Sequence, residues 1–127
     1  MDEILKKMNL EFLGTGKHKI SINFFLEKEN TILLDVRTKE EAETLSFNLK
    51  HFNIDVINIP INELPERYNE LSKSKFIGTF CSSGTRSAWA YLYLQSKGFT
   101  NVKWIEAGNE EFAALLQPGL IYKQKLK

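Results

Sequence analysis

Cys81, the chain's one cysteine, opens the run Cys81-Ser82-Ser83-Gly84-Thr85-Arg86-Ser87. A thiol followed by small, hydroxyl-bearing residues and an arginine points to nucleophilic chemistry at sulfur. The attacking species is the thiolate, and a free cysteine with a pKa of about 8.5 is mostly protonated at neutral pH. This loop has the parts to shift that balance. Gly84 accepts backbone angles that other residues resist, which lets successive N–H groups turn inward as an anion nest. Ser82, Ser83 and Thr85 are small and can donate hydroxyl protons, and Arg86 sets a permanent positive charge at the edge. A helix expected from Ser87 onward aims its N-terminal amides at the same centre.

The magnitudes favour activation. Charge-assisted hydrogen bonds contribute about 1.5–3 kcal/mol each and a helix N-terminus about 0.3–1 kcal/mol, against about 1.4 kcal/mol per pKa unit. Two or three such contacts offset partial burial and populate the thiolate at neutral pH. The bland reading, a buried cysteine acting as a small hydrophobe, leaves Gly84, Arg86 and the hydroxyl residues as coincidence. Cys81 and Arg86 are therefore the candidate catalytic residues, with Ser82, Ser83, Gly84, Thr85 and Ser87 as the candidate substrate cradle.

The elements that must position this loop alternate strand and helix. Ile32–Val36 is a continuous apolar run suited to a buried parallel strand. Thr38 can cap the next helix with Glu41 at the reciprocal position, and Ala42, Leu45 and Leu49 form its apolar stripe. Ile54–Ile59 reads as a strand stopped by Pro60, and Leu64, Tyr68 and Leu71 recur at helical spacing with Pro65 in the first turn. Phe76–Phe80 is a strand and Ser87–Lys97 a helix ended by Gly98. A strand at Val102–Ile105 and a helix from about Asn109 to Leu116, closed by Pro118-Gly119, complete the pattern. This alternation predicts an α/β domain, a small, mostly parallel β-sheet flanked by helices on both faces. Such sheets put ligands beyond the carboxyl ends of their strands, which is where Cys81 falls. Residues 1–17 read as an N-terminal extension in which Ile4, Leu5 and Met8 share a helical face, with residues 18–127 as the domain. Lys17-His18-Lys19 reads as a solvated bend.

Composition narrows the function classes. A net charge of +1 over 127 residues gives no case for a nucleic-acid surface or an anionic membrane. The longest wholly apolar stretch, Ala88–Leu94, is too short to span a bilayer. An acidic start without an apolar core behind it does not read as a signal peptide, and a lone cysteine cannot form an internal disulfide. A cytoplasmic location is the expectation. His18 and His51 lack neighbours at ligand spacing, so neither a metal nor a cofactor is expected.

With these motifs in view, the chain resembles the rhodanese-like (sulfurtransferase) family. Leu33-Leu34-Asp35-Val36-Arg37 followed by Glu40-Glu41 is similar to that family's Asp-x-Arg strand with its acidic pair. Ile57-Asn58-Ile59-Pro60-Ile61 with Leu64 is similar to its Ile-Asn-Ile-Pro segment. Phe80 to Ser87 resembles its cysteine-x-x-glycine-x-arginine-serine loop, and Gly98-Phe99-Thr100-Asn101-Val102 its turn into the last main strand. These segments run from about residue 18 to 118 in the family's order.

The resemblance implies sulfur transfer through a covalent persulfide on Cys81, from a small anionic donor such as thiosulfate to a thiol or protein acceptor. It implies that Ser82 to Arg86 form the cradle, with Arg86 both an anion contact and a support for the loop. Asp35 and Arg37 are assigned to holding local structure, through an ion pair or, as the favoured alternative, with Arg37 paired to Glu40 or Glu41 on the next helix. His51 has no glycine before it, unlike the family's Gly-His-Ile, and reads as an ordinary histidine. Ala107-Gly108 with Phe112 stands where Gly-Gly and a tryptophan are common. No charge lies between Cys81 and Gly84, which argues against efficient use of thiosulfate.

The rival readings differ in class. A cysteine phosphatase or arsenate reductase needs one more residue between cysteine and arginine and a resolving or acid group that this chain lacks. A scaffold, or a relay fed by a partner's persulfide, would use the same residues without small-molecule turnover. A redox sensor would oxidise Cys81 without a second cysteine to resolve it.

Overall fold

The computed structural model describes residues 1–45, 49 and 52–106. Helices α1 (Asp2–Lys6) and α2 (Leu10–Gly14) lead into strand β1 (Lys19–Ile20) and helix α3 (Ile22–Glu27). Strand β2 (Thr31–Asp35), helix α4 (Lys39–Thr44) and strand β3 (Ile54–Asn58) follow. A 3-10 turn (Ile61–Glu63), helix α5 (Leu64–Arg67) and a second 3-10 turn (Tyr68–Glu70) lead to strand β4 (Phe76–Phe80), helix α6 (Thr85–Ser96) and strand β5 (Val102–Ile105).

The strands form one five-stranded sheet in the order β1-β5-β4-β2-β3, every pairing parallel. This is the expected α/β class, and both faces of the sheet are covered. Alternation along β2 divides its side chains. Ile32 and Leu34 join the core beneath α5 and α6, whereas Leu33 joins Phe25 and Leu26 of α3. Gly78 allows the second layer to sit close, since a methyl group there would lie 2.6 Å from Phe25 Cε1 and 2.7 Å from Ile105 Cδ1. At the N-terminus Ile4 is buried and α1 touches α6.

The differences from the sequence expectations are local. Lys19, expected in a solvated bend, belongs instead to β1, which pairs with Trp104 and Ile105 of β5. Two residues give no periodicity to read, so that strand, like the short α3 behind it, left no sequence signal. The helix after Thr38 ends at Thr44, and Leu45 turns extended. Leu49 is buried in the core beneath α3, beyond the end of that helix. The helix expected through Leu64, Tyr68 and Leu71 is broken into α and 3-10 pieces, with Leu64 and Leu71 still buried. The expected helix near 109–116, the Ala107-Gly108 and Phe112 positions, the Pro118-Gly119 stop and His51 lie outside the described residues. Among the described residues, no helix is long and apolar enough to cross a membrane.

The register places the site. Asp35 is level with Phe80 on one side and Asn58 on the other, so β2, β3 and β4 end together. The chain leaving β2 continues that pairing, with Val36 N–H donating to Phe80 O at 2.9 Å. Below β2 the chain crosses to β3 on one flank while β4 lies on the other, so the loops after β2 and β4 diverge and leave a crevice.

Candidate active site

Cys81 follows β4 directly and α6 begins at Thr85, two residues before its expected start, so the loop is shorter than the sequence suggested. Gly84 makes the reversal with φ +97°, the left-handed region that a side chain resists. The turn folds the backbone around the sulfur. Gly84 N–H donates to Cys81 Sγ at 3.0 Å and Ser87 N–H at 3.3 Å. The thiol lies 3.5 Å from Ser87 Oγ, whose own proton goes to Gly84 O at 2.8 Å. Thr79 on β4 donates its hydroxyl to Ser87 O at 2.8 Å, pinning the first turn of α6 to the strand that presents the cysteine.

Cys81 and Ser87 are fully buried. Burial, the largest influence, pushes the Cys81 thiol up, but Ser87 Oγ and the N–H groups of Ser87, Ser83 and Gly84 together outweigh it, and the net direction is down. The loop thus stabilises negative charge on sulfur with the Ser87 hydroxyl and a set of convergent backbone dipoles.

The remaining predicted residues take other places. The Arg86 guanidinium sits on Glu41 rather than over the sulfur, with Nη1 to Oε1 at 2.6 Å and Nη2 to Oε2 at 2.9 Å. Ser82 donates its hydroxyl to the same carboxylate at 2.9 Å. Glu41 also closes the capping box of α4, accepting from Thr38 N–H at 3.1 Å while Thr38 Oγ1 accepts from Glu41 N–H at 3.2 Å. Arg86, outweighing burial, holds the Glu41 carboxyl far below the usual carboxylate range, helped by Thr38 and Ser82. Glu41 in turn raises Arg86. One carboxylate therefore ties α4, the cysteine loop and α6 together. Ser83 and Thr85 lie exposed on the rim.

Asp35 and Arg37 do pair locally, but the expected partner is corrected. Arg37 Nε and Nη2 reach the two Asp35 oxygens at 2.9 and 2.8 Å, and Nη2 also donates to Leu45 O at 2.6 Å. Glu41, expected as a partner for Arg37, is taken by Arg86, and Glu40 is exposed. The reason is geometric: Arg37 folds back under the strand end, where it is wholly buried, instead of reaching out along α4. Asn58, which the sequence reading did not assign to the site, donates to Asp35 O at 2.9 Å and Arg37 O at 3.0 Å, fastening β3 to this turn. Its place in the Ile-Asn-Ile-Pro segment was the available signal. Among the described residues, no group of histidine, cysteine, aspartate or glutamate is arranged to hold a metal.

Comparison with known proteins follows the same outline. A family model described as rhodanese-like domain matches residues 24–115. A tRNA sulfurtransferase from Tolumonas auensis is 35% identical over 75 residues, which cover 59% of this chain and 15% of that protein. The chain thus spans less than a fifth of the curated relatives it matches. An NAD-dependent persulfide reductase from A. fulgidus superposes with a TM-score of 0.59 at 34% identity, over 76% of this chain and 17% of that one. A rhodanese-related protein from Thermoplasma volcanium gives a TM-score of 0.63 at 28% identity, over 80% of this chain and 95% of that one.

Proposed function

The chain belongs to the rhodanese-like domain family, and we propose that it is a sulfurtransferase carrying a sulfane sulfur as a persulfide on Cys81. The observation that carries this reading is the convergence of Gly84 N–H and Ser87 N–H on Cys81 Sγ at 3.0 and 3.3 Å. In the first step the thiolate attacks the outer sulfur of the donor and forms a sulfur–sulfur bond. The donor's own bond to that sulfur breaks, and its electron pair leaves with the departing group. With thiosulfate the products are a Cys81 persulfide anion and sulfite. In the second step a nucleophilic acceptor attacks the outer sulfur and Cys81 returns as thiolate. With cyanide the second product is thiocyanate. The sulfur held by the protein carries one negative charge both as thiolate and as persulfide, so fixed N–H donors serve both half-reactions without a proton relay.

The donor follows from charge. Arg86 is engaged at both Nη atoms by Glu41, and Ser82 to Thr85 carry no charge. A dianion such as thiosulfate meets little net attraction there, whereas a persulfide of lower charge meets no penalty. A persulfide supplied by a thiol or by a partner protein is therefore the favoured physiological donor, and thiosulfate a slow one. The test is thiocyanate formation from cyanide with each donor in turn. The wild-type chain is expected to turn over, faster with a small-molecule persulfide than with thiosulfate, and Cys81→Ser to be inactive with both. Sulfur transfer retained by the serine variant would overturn the reading.

A further inference from the structure

Gly84 donates the shortest hydrogen bond to Cys81 Sγ, so whatever holds Gly84 governs that sulfur. Its side-chain neighbour on the face where a Cβ would stand is Trp104 of β5. A methyl group placed on Gly84 would lie 3.4 Å from Trp104 Cζ2 and 3.8 Å from Nε1, so the indole edge lies in van der Waals reach of the turn. Trp104 stands level with Thr79, the residue that pins α6 to β4. Behind the indole lies His18 with ring centroids 5.8 Å apart, and behind His18 lies Phe12 of α2 at 5.9 Å. The backbone N–H of Trp104 also donates to His18 O at 2.9 Å, the continuation of the β1–β5 pairing.

Neither Trp104 Nε1 nor His18 Nδ1 has a hydrogen-bond partner among the described residues, although both atoms are buried. With no hydrogen bond at either ring nitrogen among the described residues, the rings are positioned by packing against one another. A buried, unpaired indole N–H is unfavourable, and phenylalanine would avoid it. What tryptophan adds is reach, because Cζ2 extends further from the backbone than any atom of a phenylalanine ring. That extra reach ends at Gly84.

We propose that Trp104 is a positioning residue for Cys81: its indole is the seat that keeps Gly84 in its left-handed turn with the N–H aimed at Sγ, and the Phe12–His18 stack backs that seat. The N-terminal segment is thereby coupled to the reactive loop through a file of rings. This inference rests on Cys81 being the working nucleophile, but its test needs no sulfur donor.

The experiment is the pH profile of Cys81 alkylation by iodoacetamide in the full chain, followed by intact mass, for wild type and Trp104→Phe. Among the described residues, the charged and titratable groups around the loop and its seat are the Glu41–Arg86 pair from α4 and α6, the Asp35–Arg37 pair from the end of β2, and His18 behind the indole, and the substitution leaves them in place. In Trp104→Phe the midpoint is expected to rise. Alkylation should be roughly tenfold slower at neutral pH, the factor set by weakening one charge-assisted hydrogen bond. The two rates should converge once pH exceeds both midpoints. A lowered melting temperature with an unmoved midpoint would make Trp104 merely structural and overturn the proposal. If Trp104→Phe does not fold, His18→Ala decides, with a smaller rise in the same direction expected and an unmoved midpoint overturning it. A wild-type midpoint at the ordinary thiol value would instead sink the nucleophile reading itself, and the proposal with it.

Discussion

The Asp35–Arg37 and Glu41–Arg86 pairs join the same chemical groups with similar bond lengths, yet one lies inside the molecule and the other at its surface. In the first pair the arginine and aspartate side chains are 0% and 3% exposed, and Arg37 also packs over the Phe80 ring at 5.4 Å. In the second, Arg86 and Glu41 are 24% and 36% exposed. Burial fixes what each pair can do. The buried charges have left water and depend on one another, so the pair fastens the end of β2 to the chain leaving α4 and tolerates no loss. The half-exposed charges keep much of their hydration, so that pair shapes the cysteine loop and its charge while adding little to stability.

Removing one buried charge should give the largest effect. Arg37→Ala leaves Asp35 unpaired in the interior and is expected to cost about 3–5 kcal/mol, read as a drop in the urea midpoint. A loss no larger than that of a surface substitution would erase the distinction. Next comes the loop itself. Gly84→Ala forces a side chain into φ +97° against Trp104 and should cost about 1–2 kcal/mol while slowing alkylation of Cys81. Unchanged alkylation would separate the turn from the chemistry.

The smallest effect on stability belongs to Glu41→Gln, within about 1 kcal/mol. Its signature is functional instead. Arg86 is released toward the loop, so the KM for thiosulfate should fall relative to wild type, and a rise would contradict the neutralised mouth. The pH dependence has a definite sign. Arg86 depresses the Glu41 pKa in the folded chain, so the pair's contribution is complete well above the ordinary carboxylate value of 4.5, declines progressively below it as the unfolded chain takes up the proton first, and is gone once pH has fallen below the lowered value. Urea midpoints measured from neutral pH into acid should show the loss from this pair setting in near 4.5 and growing below it, and Glu41→Gln should lack that component.

Legibility in the sequence followed the range of the interaction. Strands Phe76–Phe80 and Val102–Ile105 appear where their apolar runs predicted them, and the Thr38–Glu41 capping box is a local pattern that the structure contains. The cysteine loop was legible because its parts are contiguous. Glu41 was readable as a cap but not as the partner of Arg86, since that role depends on how the β2–α4 and β4–α6 turns meet across the crevice. The partner of Arg37 is hidden for a related reason: the sequence offers acidic residues on both sides and does not say which way the side chain folds. β1 was too short to show a period, and Trp104 carries no motif, so only its position against Gly84 brings it to the site.

The most direct test of Cys81 as a sulfur carrier is the intact mass of the full chain after treatment with a small-molecule persulfide, before and after cyanide. The account predicts a gain of one sulfur, located on the peptide containing Cys81, that cyanide removes with return to the starting mass. A chain that takes up no sulfur under these conditions, or holds it against cyanide, would contradict the account.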